Sequence, residues 1–438
     1  MKNYGRLAAA LIVLALQASR PVAAQTDTSP PKEADLTAKV DELQRELEDV
    51  RAQLVALKKD GKTGDAPAPG AGAGPAPAAV SGSTTPTIAS LLGPTSLSGF
   101  VDMYYGYNAN QPATLNNSFR VFDQQANQFA LNLVELVVDK APDAAASRTG
   151  YHVALGFGQA INAINGSEPV NGTLPASGLG FDQYLKEAYF SYLAPVGKGL
   201  QVDFGKFVTP AGAEVIETKD NWNYSRSLLF NYAIPFYHFG MRAKYTFNDK
   251  YNLTGYVMNG WNNLIATNTG KTYGISAGWN PNKKWGVVQN YLAGATPTSN
   301  SDWRQLSDTV ITYSPTSKWS FMVNGDYGRG DRIVGLNRPV FWTGVGGYVK
   351  YVVNPKYTFA TRYEYYDDHD GFTTGTKQDF NEVTETFEHT IASHILTRLE
   401  YRHDLSNHPT FLKGTTPVLA QDTATAGLVF MFDSREAK

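Results

Sequence analysis

From Leu97 to Phe432 the chain alternates apolar and polar residues with a period of two, in about sixteen segments of roughly ten residues each. Predicted strands fall near 96–108, 129–140, 150–160, 182–193, 199–209, 237–248, 251–262, 271–280, 284–294, 303–314, 318–329, 341–353, 356–367, 382–391, 395–405 and 422–432. No helical apolar run in this region is long enough to cross a bilayer, whereas a tilted barrel strand needs only about ten residues. The fold class expected is all-β: a transmembrane antiparallel β-barrel of about 16 strands.

The connections sort by parity. Every second one is short and carries turn residues, as at Asn248-Asp249-Lys250, Asn280-Pro281-Asn282-Lys283, Ser314-Pro315-Thr316-Ser317 and Asn354-Pro355-Lys356. The intervening ones are mostly longer and polar, as at 110–127, 160–180, 209–235 and 367–381. Short turns on one side and long loops on the other are the asymmetry of an outer-membrane barrel.

Alternation also sorts charge. Arg242 and Lys244 share one face of their strand, Arg362 and Glu364 share one face of theirs, and Arg398, Glu400 and Arg402 do the same. Each Arg or Lys turned to lipid near the midplane would cost about 2–4 kcal/mol, so these faces belong inside. The inward charges either line a wet channel or pair with one another as structural filling. About sixteen strands enclose more than side chains alone can fill, which favours the channel. Trp261, Trp279, Trp285, Trp303, Trp319 and Trp342 fall at strand ends and are expected to form an aromatic girdle at the two interfaces. The last strand places Leu428, Phe430 and Phe432 on one face, and a polar tail, 433–438, follows it.

The third long connection, Thr209 to Pro235, contains Glu214, Glu217 and Arg226 and then the apolar run Leu228 to Ile234. A surface loop this apolar must pack on something. Folding into the barrel as a constriction is one solution, and capping the outside or a subunit boundary is the other.

Upstream of the barrel the pattern changes. Lys2 and Arg6, the apolar stretch Leu7 to Leu16 and the small-residue site Val22-Ala23-Ala24 lay out a signal peptide over residues 1–24. Residues 25–60 hold a heptad seam, Leu36, Val40, Leu43, Leu47, Val50, Leu54 and Leu57, flanked by charge. It reads as a periplasmic coiled coil, or as a lone amphipathic helix. Residues 61–95 are a Pro/Ala/Gly-rich linker, and residues 96–432 form the barrel.

The chain has 438 residues, no cysteine and a formal net charge of −2. These exclude disulfides and thiolate chemistry, and give no basic excess for nucleic acid. No catalytic, cofactor or metal constellation can be assembled: His389 near Thr390 and Ser393 is no triad, and the acidic run Asp367 to Gly371 lacks calcium-loop spacing. Arg329-Gly330-Asp331 is an adhesion tripeptide that a glycine-rich loop produces readily.

The block Gly205-Lys206-Phe207, Gly212-Ala213-Glu214, Tyr224-Ser225, Pro235 and Phe239-Gly240, with Arg398 to Asp404 and Gln421-Asp422-Thr423, resembles the OmpL-like β-barrel porins over roughly Leu97 to Phe432. That resemblance implies a bacterial outer-membrane pore for small hydrophilic solutes, set in lipid and lipopolysaccharide. The coiled coil resembles the periplasmic extension of some sugar porins, which are trimers, and so implies a homotrimer. The alternative is an envelope scaffold, in which the coiled coil engages peptidoglycan or a periplasmic partner.

Overall fold

The structure is a computed structural model and describes residues 93–171, 174–175, 181–296, 299–330 and 338–435. The expected signal peptide, the coiled coil and residues 61–92 of the linker lie outside the described residues.

Sixteen strands among the described residues close into one antiparallel barrel. They are β1 (Ser96–Asn108), β2 (Gln128–Lys140), β3 (Thr149–Phe157), β4 (Leu185–Ala194), β5 (Leu200–Val208), β6 (Tyr237–Thr246), β7 (Tyr251–Met258) and β8 (Thr272–Asn282). The second half comprises β9 (Trp285–Thr296), β10 (Ser299–Tyr313), β11 (Trp319–Gly330), β12 (Val340–Asn354), β13 (Tyr357–Asp368), β14 (Gln378–Ala392), β15 (Ile395–Ser406) and β16 (Ala420–Asp433). Each strand pairs with its sequence neighbour, and β1 closes on β16 in continuous register from Ser98↔Asp433 to Asn108↔Thr423. Closure leaves no free sheet edge, the condition for strands in hydrocarbon.

The pleat divides each strand cleanly. In β15, Arg398, Glu400, Arg402 and Asp404 are buried, while Leu399 is 60% exposed and Tyr401 and Leu405 are exposed beside it. Outward side chains such as Phe129, Phe190, Phe204, Val257, Tyr273, Phe359 and Phe430 continue this apolar surface around the wall. A belt of that extent is unsustainable in water and suits lipid.

Trp279, Trp285 and Trp319 are exposed, and Trp303 stacks on Tyr273, which is also exposed. Trp261 and Trp342 correct the girdle expected of them. Trp342 is 1% exposed, donates its indole N–H to the Ala233 carbonyl at 3.0 Å, and meets Trp261 edge-on inside the barrel. A position near a strand end does not say which face the ring takes.

The long connections are not simple loops. The one between β3 and β4 contains a helix, α1 (Gln159–Gly166), which buries Ala160, Ile161 and Ile164. The one between β5 and β6 contains a 3-10 turn at Thr218–Asp220 and a π-helical turn at Leu229–Ala233. The one between β15 and β16 carries a small hairpin, Phe411–Lys413 with Thr416–Val418.

Candidate functional site

The segment 209–236 leaves the wall after β5 and lies inside the barrel, where it exchanges hydrogen bonds with inward side chains of nearly opposite strands. Its entry uses Gly212 at φ 98°, a conformation that costs a side chain but not glycine. On one side the Asn290 amide of β9 donates to the Pro210 carbonyl, and the Ala213 N–H donates to Asn324 of β11. On the other, Thr218 and Tyr224 donate their hydroxyls to Asp102 of β1.

An irregular segment in a water-poor interior carries backbone groups that must find partners. The wall charges supply them. Glu400 accepts the N–H groups of Tyr224 (2.5 Å) and Ser225 (2.9 Å). Glu364 accepts those of Leu228 and Leu229, both at 2.6 Å, and so caps the start of the π-helical turn. Arg398 donates to the carbonyls of Thr218, Asn221 and Asn223, and Arg402 to that of Arg226. Arg362, with no exposed side-chain surface, joins Glu214 of the segment (2.7 Å) to Glu382 of β14 (2.8 Å). Glu214 in turn accepts the Ser227 N–H.

Seven of the ten residues expected to line the channel or its constriction serve differently, among them Glu214 of the segment, buried against Arg362. Arg362, Glu364, Arg398, Glu400 and Arg402 are buried to 5% exposure or less and are used up holding the segment. Arg226 lies within the segment itself, donating to the Tyr224 and Ile216 carbonyls and stacking on Phe122. The physical reason is that the unsatisfied backbone of a folded-in loop competes with water for every inward charge. The remaining three are wetter: Glu217 pairs with Lys186, Arg242 pairs with Asp203 at 2.7 Å and stays partly exposed, and Lys244 is exposed.

Other participants were not singled out from sequence. Asp102 of β1, Glu135 of β2, Glu382 of β14 and Asp404 of β15 obey the same inward alternation, and extending that rule would have found them, whereas Lys186 of β4 is turned inward beside Glu187 by a register shift that alternation does not foresee. Arg120 and Asp123 carry no such signal. They sit in the β1–β2 connection, which also folds inward, and Arg120 joins Asp123 (2.6 Å) to Asp404 (2.7 Å). Burial alone would push the Arg120 guanidinium down, but these two carboxylates hold it above its ordinary range. The two inward segments then share an aromatic core, Phe122 against Phe230 and Phe236.

Toward the short-turn end a cavity of about 350 Å³ opens, lined by Glu135, His152, Lys186, Glu187, Glu217, Lys219 and Asp220 among others. At the long-loop end the acidic run is structural. Asp368 accepts the N–H groups of Phe372, Thr373 and Thr374. Asp370 pairs with Arg338 at 2.6 Å, and although burial pushes its carboxyl up, Arg338 and the Phe341 N–H hold it below the usual range. The His389 ring stacks on Tyr357. Among the described residues no group of three His, Asp or Glu side chains is placed to hold a metal ion.

A closed barrel with an apolar outer belt and a charged interior crossed by a clamped loop defines the class of β-barrel porins. The family described as "Putative beta-barrel porin-2, OmpL-like" matches residues 94–432, and the chain belongs to it. No curated protein matches the chain. Among solved structures, an anion-selective porin from Comamonas acidovorans is similar at TM-score 0.52 and 9% identity, covering 77% of this chain and 99% of that one. Outer-membrane OmpT of Vibrio cholerae is similar at TM-score 0.50 and 11% identity, covering 77% and 97%, and a trimer form of it at 0.50 and 13%, covering 77% and 99%. At such identities the likeness is one of fold.

Proposed function

We propose that this chain is a bacterial outer-membrane porin through which small hydrophilic solutes diffuse passively, without chemistry, past a constriction made by the segment 209–236. One observation carries the reading: the inward charges of β13 to β15 are spent on holding that segment across the lumen of a closed barrel. Fixing a loop at mid-barrel by charge-assisted hydrogen bonds gives a narrowing that does not collapse or drift. The role assigned to Glu214, Glu364, Arg362, Arg398, Glu400 and Arg402 is to build the constriction, with Arg226 bracing it from within. Glu217, Arg242 and Lys244, which water reaches, set charge preference on the short-turn side. Outward tryptophans anchor the barrel at the headgroups, lipopolysaccharide surrounds its outer rim, and the heptad seam at 36–57 assembles a homotrimer in the periplasm.

Single-channel recording of the purified protein in planar bilayers tests this reading. Discrete conductance steps are expected, and Lys244→Glu should shift the reversal potential in a salt gradient toward cation preference by making the wet wall more negative. Silence over a wide voltage range, with folding verified by heat-modifiable gel mobility, contradicts a pore and leaves an envelope anchor.

A further inference from the structure

Six of the arginines inside this barrel each hold at least one oxygen partner. Arg120, Arg242, Arg362, Arg398 and Arg402 each hold a carboxylate, and Arg226 holds backbone carbonyls. Arg304 differs. It lies near the start of β10 at the long-loop end, on the same face as the inward Leu306 and Asp308. Its guanidinium carbon sits 4.9 Å from the ring centre of Trp261 and 4.8 Å from that of Phe372. Its Nε is buried and has no hydrogen-bond partner, and no carboxylate or carbonyl among the described residues pairs with its side chain. The residue nonetheless keeps partial exposure. Its cross-strand neighbours are glycines on both sides, Gly294 on β9 and Gly330 on β11, so no adjacent wall side chain covers it.

A charge taken out of water without a counter-charge is costly, and two aromatic faces recover only part of that cost. The missing partner is an anion. We propose that Arg304 is the recognition group of an anion-binding site at the outer entrance of the barrel, taking a carboxylate-bearing organic solute. The guanidinium fork would accept the carboxylate oxygens, and Trp261 and Phe372 hold the fork in place while offering an apolar rim to the solute's body. The site lies on the loop side of the constriction, since Trp342, which packs on both Trp261 and Phe372, is bonded to Ala233 at the top of the π-helical turn. It would concentrate anions before they meet the narrowing. This rests on the porin reading for its purpose, but binding itself does not require conduction.

Saturation-transfer NMR of benzoate on the detergent-purified full chain tests the site, with benzamide as the uncharged isostere. Saturable binding of benzoate, absent or much weaker for benzamide, is expected, and Arg304→Gln should weaken benzoate at least about tenfold, as loss of a charge-assisted pair implies. Equal signals from benzoate and benzamide, no benzoate signal, or unchanged binding in Arg304→Gln would each overturn the proposal. Should R304Q fail to fold, wild type alone decides: raising chloride must displace benzoate if a guanidinium holds it, and persistence at high salt overturns the site. A barrel silent in bilayers that still binds benzoate through Arg304 separates the two readings, as does a conducting barrel that does not.

Discussion

Arg362 concentrates the energetics of the interior in one side chain. It is fully buried, joins Glu214 to Glu382, and donates to the Ser225 carbonyl at 2.7 Å. Replacing it with alanine strands two buried carboxylates, and breaking a buried pair in this way costs about 3–5 kcal/mol. Urea unfolding followed by tryptophan fluorescence should show that loss, and a change under about 1 kcal/mol would mean the pair is dispensable. Gly427 makes a different point. A Cβ there would stand 2.5 Å from the Tyr224 ring, so β16 needs glycine where the inward segment touches the wall. Gly427→Ala should push Tyr224 off the wall and cost about 1–3 kcal/mol through overpacking. A stability equal to wild type would show that the segment yields freely.

At the level of elements, the strands were legible because period two and turn residues are local signals. The predicted hairpin between the strands near 382–391 and 395–405 is present, with β14 ending at Ala392 and β15 starting at Ile395. The facing of Arg362, Glu364 and Arg398 was equally legible, because alternation fixes a side once lipid is excluded for charge. What they do there was not, since no local pattern says which backbone group will arrive opposite. The same limit hid Arg120, the π-helical turn and the inward turn of Trp342, all of which depend on long-range packing. The outward face yields a test of the element assignment. Leu399, 60% exposed on β15, should not accept arginine: Leu399→Arg puts charge toward lipid at about 2–4 kcal/mol and should lower the yield of heat-modifiable barrel. Normal assembly would place that face against water or protein instead.

For the whole molecule, sixteen strands enclose a lumen too wide for wall side chains to fill, and the chain fills it with its own connections. Inward folding of the β1–β2 and β5–β6 segments narrows the wide barrel, with water-reached charges toward the short turns and Arg304, which no carboxylate among the described residues pairs, toward the long loops. On the proposed porin reading, width and hence conductance are properties of the segment rather than of the strand count. The most direct test replaces residues 212–233 with a short Gly/Ser linker and compares single-channel conductance with that of the intact chain. If the clamped segment is the constriction, the step conductance should rise several-fold and charge preference should pass to the newly wetted arginines and carboxylates of β13 to β15. Identical conductance in both proteins would mean that solutes take another route and that the clamp serves the fold alone.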